Sequence, residues 1–196
     1  MKVCTFLLST LVILNCNAQE PLSYTYVEGS VIEQEVEGIS KEATGYRALA
    51  SIQVNEISYV KMHYLKSTKD WHESSKYIEL DVEDYYLGFG LFKSITATSD
   101  VYVELATERE SIDFTKDSSI EDDTEFSYSA TFGLRTVQFE YFEFEASVKH
   151  LYNQDGSEFS SKLGAFYDVS NSLAIGIEKE FGADIDTLAA TVRYSF

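Results

Sequence analysis

Cysteine is nearly absent from the chain, and proline is rarer still. The 196 residues hold two cysteines, Cys4 and Cys16, and one proline, Pro21. Both cysteines fall in an N-terminal stretch with the layout of a secretory signal peptide. Lys2 supplies the positive start, Val3 to Leu14 is uncharged and apolar, and Cys16 and Ala18 are small residues before a cleavage point after Ala18. That apolar run is shorter than the roughly 20 residues a helix needs to cross a bilayer. Asn15 before Cys16 argues against a lipoprotein signal. Cleavage leaves residues 19–196 as one domain without disulfide, thiolate nucleophile or cysteine metal ligand. A small secreted domain of this kind must be stabilised by something other than disulfides.

Basic residues are also few. Lys and Arg total 15 against 33 Asp and Glu, a formal charge of −18, which becomes one unit more negative once Lys2 leaves with the signal. A chain so acidic is a poor partner for nucleic acid, whose phosphates call for Lys and Arg. It suits a divalent cation or a cationic partner, or simply keeps exposed loops soluble. No helix-period segment of useful length follows the signal, and no Pro-rich or Gly/Ser-rich linker divides the chain.

What the chain has in quantity is aromatic residues, 14 Tyr and 13 Phe, and a dominant period of two, the strand signature. Val27, Gly29 and Val31 alternate with Glu28 and Ser30. Tyr85, Leu87, Phe89 and Leu91 alternate with Asp84, Tyr86, Gly88 and Gly90. Phe142, Phe144, Ala146 and Val148 alternate with Glu143, Glu145, Ser147 and Lys149. Leu188, Ala190, Val192, Tyr194 and Phe196 alternate with Ala189, Thr191, Arg193 and Ser195. About ten strands are predicted, each near the 9–11 residues that a tilted strand needs to cross hydrocarbon; eight is the alternative. Ile78, Leu80 and Val82 are out of phase with Tyr85, Leu87 and Phe89. Either a β-bulge near Glu83 restores the face, or this part projects beyond a membrane. Tight connections are expected at Asn55-Glu56, Arg135–Gln138 and Ser170–Ser172. Longer polar loops are expected at 36–43, 66–76, 114–124 and 153–160. The stretch Lys93–Ser99 is longer than its side predicts.

Alternation alone fits a soluble sandwich as well. Three features favour a closed antiparallel up-and-down transmembrane barrel, an all-β fold. The apolar faces are continuous and aromatic. Aromatics gather near strand ends, as in interfacial girdles. The last strand stops on Phe196. In lipid each unpaired backbone group costs several kcal/mol, so without a helix only a closed sheet spans. The polar faces would then form a charged lumen network of Glu28, Arg47, Lys61, Asp84, Glu104, Glu143, Glu145, Lys149, Lys162, Glu178 and Arg193. About eight to ten strands enclose a space that side chains can largely fill.

The opening Tyr24-Thr25-Tyr26-Val27-Glu28-Gly29, the strand Tyr86-Leu87-Gly88-Phe89-Gly90-Leu91 and the closing Thr191-Val192-Arg193-Tyr194-Ser195-Phe196 resemble small Gram-negative outer-membrane β-barrels, the OmpA-transmembrane-domain and OmpX-like porin-family group. The resemblance implies outer-membrane localisation and a lipid environment. It also implies that Tyr194 and Phe196 form the signal read by the barrel-assembly machinery.

Chemistry-bearing residues are sparse. Of the three histidines, His63 is expected in the lumen, His72 in a loop and His150 on the lipid-side rim; no pair has metal-ligand spacing. Glu143 and Glu145 lie roughly 7 Å apart on one face, where ion pairing with lumen cations is the simpler role than acid–base work. Asp113, Asp117, Glu121, Asp122 and Asp123 could attract a divalent cation, although their spacing matches no calcium-loop pattern. Trp71 is either an exposed recognition anchor or a rim residue. Gly88 and Gly90 sit mid-strand, where close lumen packing accounts for them. No cofactor and no catalytic residue is expected. The leading functional expectation is a structural or small-solute porin-like barrel. Alternatives are a surface-binding, adhesin-like protein acting through its loops, and an outer-membrane lipid A or peptide hydrolase using His150.

Overall fold

The structure is a computed structural model that describes residues 22–36, 42–73, 76–116, 119–154 and 156–196. The signal peptide expected over residues 1–18 lies outside these. Among the described residues there are ten strands and no helix: β1 (Tyr26–Val36), β2 (Glu42–Asn55), β3 (Ser58–Glu73), β4 (Lys76–Thr96), β5 (Ser99–Lys116), β6 (Ser119–Gln138), β7 (Phe142–Tyr152), β8 (Ser157–Ser170), β9 (Leu173–Phe181) and β10 (Ile185–Ser195). Each pairs antiparallel with its sequence neighbour, and β1 pairs with β10, closing the barrel. The ten-strand expectation holds. Closure follows from the backbone: β1 and β10 each satisfy a second edge that an open sheet would leave bare.

The wall has a sharp polarity. On β1 the burial alternates strictly, with Tyr26, Glu28 and Ser30 buried and Val27, Gly29 and Val31 exposed. Val31, Leu105, Phe132 and Ile177 are 60–67% exposed, on strands whose charged residues point inward. Such a surface is unfavourable in water and natural in hydrocarbon. Along β4, Tyr85 to Ile95 covers roughly 25 Å of height at about 3.3 Å per residue and a tilt near 40°.

Both rims of this band are aromatic. At the end holding the chain termini, here the near end, Tyr167 packs on Phe142 with centroids 5.2 Å apart, and Tyr194 meets Phe196 edge-on at 5.0 Å. At the far end Tyr64 contacts Tyr46 and Tyr85 at 6.1 and 4.9 Å, and the Arg109 guanidinium lies 5.7 Å from the Tyr85 ring. Immediately beyond this collar the outward residues become polar, beginning with the Lys66–Glu83 pair at 2.7 Å.

Several connections differ from expectation. Most of 66–76 and 114–124 is paired strand rather than loop: β3 reaches Glu73, β4 starts at Lys76, β5 ends at Lys116 and β6 starts at Ser119. Strands β3 to β6 thus run 16 to 21 residues and rise past the collar. Ladder hydrogen bonds need no apolar side chains, so polarity did not mark the strand ends. The stretch Lys93–Ser99 is a two-residue turn at Ala97-Thr98 between paired strands. The turn expected at Arg135–Gln138 lies later, at Phe139–Tyr141. There Phe139 and Glu140 have φ of 56° and 69°, the mirror-image turn that suits hairpin twist.

No bulge interrupts β4 near Glu83. Its register with β3 runs without a shift from Ser58↔Leu91 to Glu73↔Lys76, and the irregularity with β5 lies at Ser94/Thr96. Ile78, Leu80 and Val82 therefore point inward, at most 2% exposed, while Tyr85, Leu87 and Phe89 point outward. The backbone does not change phase; the surroundings do. Where the wall faces hydrocarbon the apolar set is outside, and where it faces water the apolar set is inside.

Candidate functional site: the lumen

The barrel interior has three layers. At the near end residues 22–25 tuck beneath the opening. Tyr24 stacks on Phe92 and Tyr59 at 4.1 and 4.8 Å, its carbonyl accepts from Ser51 Oγ at 2.8 Å, and Arg135 sits 4.6 Å from its ring while donating to the Ser23 carbonyl at 3.0 Å. With Tyr102 these rings form an apolar floor. Near the far collar Ile32, Leu65 and Ala189 form a second small apolar cluster.

Between them lies a charged layer that ties together strands remote in sequence. Arg193 on β10 donates to Glu28 at 2.6 Å and to Glu143 at 2.7 Å. Arg135 on β6 also grips Glu143, through two donors at 3.0 and 3.1 Å. Lys61 meets Glu104 at 2.9 Å, Lys162 meets Glu145 at 3.0 Å, and Arg47 pairs with Glu178. Lys149 bridges Glu108 and Glu180 at 3.2 and 3.3 Å. His63 Nε2 lies 2.6 Å from Asp84 Oδ2. Tyrosine hydroxyls complete the carboxylate shells: Tyr102 donates to Glu145 at 2.6 Å, and Tyr86 to Glu104.

All eleven residues of the sequence-derived lumen set point into the barrel. The structure adds Arg135, Glu108, Glu180 and the buried Asp100. Their signal was present: Glu108 continues the phase of Tyr102, Glu104 and Ala106, Glu180 that of Glu178, and Arg135 that of Thr131 and Gly133. They were missed because the strands were ended too early.

The arrangement explains why these charges are tolerated. Removing ions from water costs several kcal/mol each, and close pairing with extra hydrogen bonds offsets that cost without a large surplus. Arg193 gains further contact from its flat face, 3.8 Å from the Phe166 centroid and 4.6 Å from that of Tyr26. Gly90 and Gly133 make room for the floor: a methyl on Gly90 would overlap the Tyr59 ring, and one on Gly133 the Tyr102 ring.

Beyond the collar, at the mouth of the lumen, Glu110 pairs in register with Asp84 and with Glu125. Burial, then the negative charge of Asp84, pushes its carboxyl up to about 7; Lys149 opposes this and Glu108 and Glu125 add to it.

The other candidates are dispersed. His150 faces outward and stacks on Phe159 at 4.5 Å, far from any serine–acid partner in the hydrogen bonds seen. Trp71 is partly buried on β3. Asp117 and the side chains of Glu121, Asp122 and His72 lie outside the described residues, and among the described residues no cluster of three or more His, Cys, Asp or Glu could hold a metal ion.

No family model and no curated protein sequence matches the chain. Its fold is similar to that of solved barrels. The NanC porin aligns with TM-score 0.56 at 8% identity, over 87% of this chain and 100% of that one. The translocator domain of the autotransporter NalP from Neisseria meningitidis aligns with TM-score 0.51 at 11% identity, over 91% of each chain. The KdgM porin, in complex with disordered oligogalacturonate, aligns with TM-score 0.50 at 10% identity, over 87% and 99%. The apolar girdled wall, the closed sheet and these likenesses together establish the fold as that of a β-barrel of the outer-membrane kind.

Proposed function

We propose that the protein is a resident outer-membrane β-barrel with a closed, ion-paired lumen, serving a structural or surface role and no catalysis. In this reading a signal peptide over residues 1–18 delivers it, and the barrel-assembly machinery engages Tyr194 and Phe196. The near end with its short turns faces the periplasm and the β3–β6 extension faces outward. The observation that carries the reading is the charged layer itself. Six cations, Arg47, Lys61, Arg135, Lys149, Lys162 and Arg193, each pair with a carboxylate on another strand, above a floor of Tyr24, Tyr59 and Tyr102. The interior cavity left among them is only about 70 Å³. A lumen so filled passes neither sugars nor hydrated solutes.

Purified protein should show heat-modifiable gel migration and give little or no steady conductance in planar bilayers. A large, stable, ion-selective conductance would overturn the closed lumen. Protein that is soluble and monomeric without detergent would overturn the membrane assignment.

A second reading, surface binding, is favoured by the β3–β6 extension. It projects a paired sheet beyond the collar, carrying outward Tyr77, Glu79 and Asp81. Loss of cell or matrix binding after shortening β3–β4 between Lys69 and Glu79 would support it, and unchanged binding would remove it.

A further inference from the structure

The cavity at mid-lumen is small, but its wall is not electrically neutral. Arg47, Lys61, Lys149 and Lys162 line it, whereas the carboxylates on it are Glu104 and Glu180. The ion-pair partners of three of these cations, Glu178 for Arg47, Glu145 for Lys162 and Glu108 for Lys149, do not line it. Four positive charges therefore face two negative ones across the cavity, in a chain whose formal charge is −18. A second observation is independent of that balance. Arg47 is buried, 8% exposed, and its Nε is a buried donor without a hydrogen-bond partner. A buried donor left unmade costs about 1–3 kcal/mol, and more when charged. An acceptor reaching it would recover that.

We propose that this cavity is a binding site for one small inorganic anion, of chloride or nitrate size. The volume, about 70 Å³, admits a few waters or one such ion and excludes a sugar acid or nucleotide phosphate. Excess positive charge in a surround of low dielectric supplies the attraction. The Arg47 guanidinium supplies a directed donor, and hydroxyls of Ser147 and Thr131 on the same wall offer more. A bound anion would relieve repulsion among the four cations and hold the charged layer together. The acidic mouth at Asp84, Glu108, Glu110 and Glu125 opposes entry from the far end, so exchange should be slower than diffusion and faster at lower pH.

The test uses refolded, full-length mature protein in zwitterionic micelles with gluconate as the bulk anion. Chloride is added, and the excess ³⁵Cl linewidth per protein is read. Broadening that nitrate abolishes is expected. The paired variant Lys162→Gln/Glu145→Gln keeps the net charge but removes one lining cation with its more distant partner; at an effective dielectric near 20 it should weaken binding about fivefold. Retained heat-modifiable migration shows that it folds. If it does not fold, Arg47→Gln/Glu178→Gln replaces it with the same expectation. Wild-type protein that gives no broadening overturns the site while leaving the closed lumen standing. Broadening unchanged in a folded paired variant also overturns it, since the signal would then come from exposed cations such as Arg109.

Discussion

Replacing Arg193 by methionine is the severest single perturbation of the charged layer. Arg193 joins Glu28 to Glu143 through donors at 2.6 and 2.7 Å. Its loss is unequal for the two carboxylates. Glu143 keeps Arg135, whose contacts at 3.0 and 3.1 Å are untouched. Glu28, 6% exposed, has Arg193 as its only printed ion-pair partner. Removing one partner of a buried pair costs about 3–5 kcal/mol, mostly because the other charge is left without compensation. The cation–π contacts with Phe166 and Tyr26 add about 1–2 kcal/mol. Arg193→Met should therefore destabilise the barrel by about 4–6 kcal/mol. The double variant Arg193→Met/Glu28→Gln removes both charges and should recover about 2–3 kcal/mol of this, leaving the stacking loss. The assay is urea unfolding of refolded protein in micelles or vesicles, followed by the folded band on an unboiled gel. A single-variant loss below about 1 kcal/mol would refute the reasoning, as would a double variant no more stable than the single one.

Three further outcomes are expected. Glu110 binds its proton more tightly when folded, at about 7 against 4.5 for the free carboxyl. A group with a raised carboxyl value loses stability as pH rises through that window. Stability of the wild type should fall by about 2 kcal/mol between pH 4.5 and 8 from this group, and Glu110→Gln should flatten that part of the profile; an unchanged profile refutes it. Gly90→Ala and Gly133→Ala should each cost about 1–3 kcal/mol by pressing on Tyr59 and Tyr102. Tyr59→Ala should ease the first substitution and not the second, and urea midpoints that fail to show this pattern would refute the packing account. Phe196 is 75% exposed at the near rim, so Phe196→Ala should lower the yield of barrel inserted in cells while changing refolded stability by less than about 1 kcal/mol. Equal losses in both would mean that the residue acts through stability rather than assembly.

Much of the architecture was legible because hydrocarbon and a polar lumen impose opposite demands on alternate residues. Val27, Gly29 and Val31 against Tyr26, Glu28 and Ser30 is that demand written along one strand. The same logic misled at strand ends. Residues 66–76 and 114–124 looked like loops because water, not lipid, surrounds them, and a polar strand pairs as well as an apolar one. The phase break at Ile78, Leu80 and Val82 looked like a bulge because a single environment was assumed along β4. It marks the level at which the wall leaves the apolar band.

The sequence by itself determined the strand content, the inward direction of Glu28, Arg47, Glu145 and Arg193, and the sign of the whole chain. These depend on period and composition, which are local. Which charge meets which was decided only by closure. Arg47 and Glu178 lie 131 positions apart, Arg193 and Glu28 165 apart, and only the β1–β10 seam brings them together. The tuck of Tyr24 beneath Tyr59, the unpartnered Arg47 Nε and the cationic wall of the mid-lumen cavity arise in the same way. They follow from the register of ten strands around one axis, and no local pattern encodes that register.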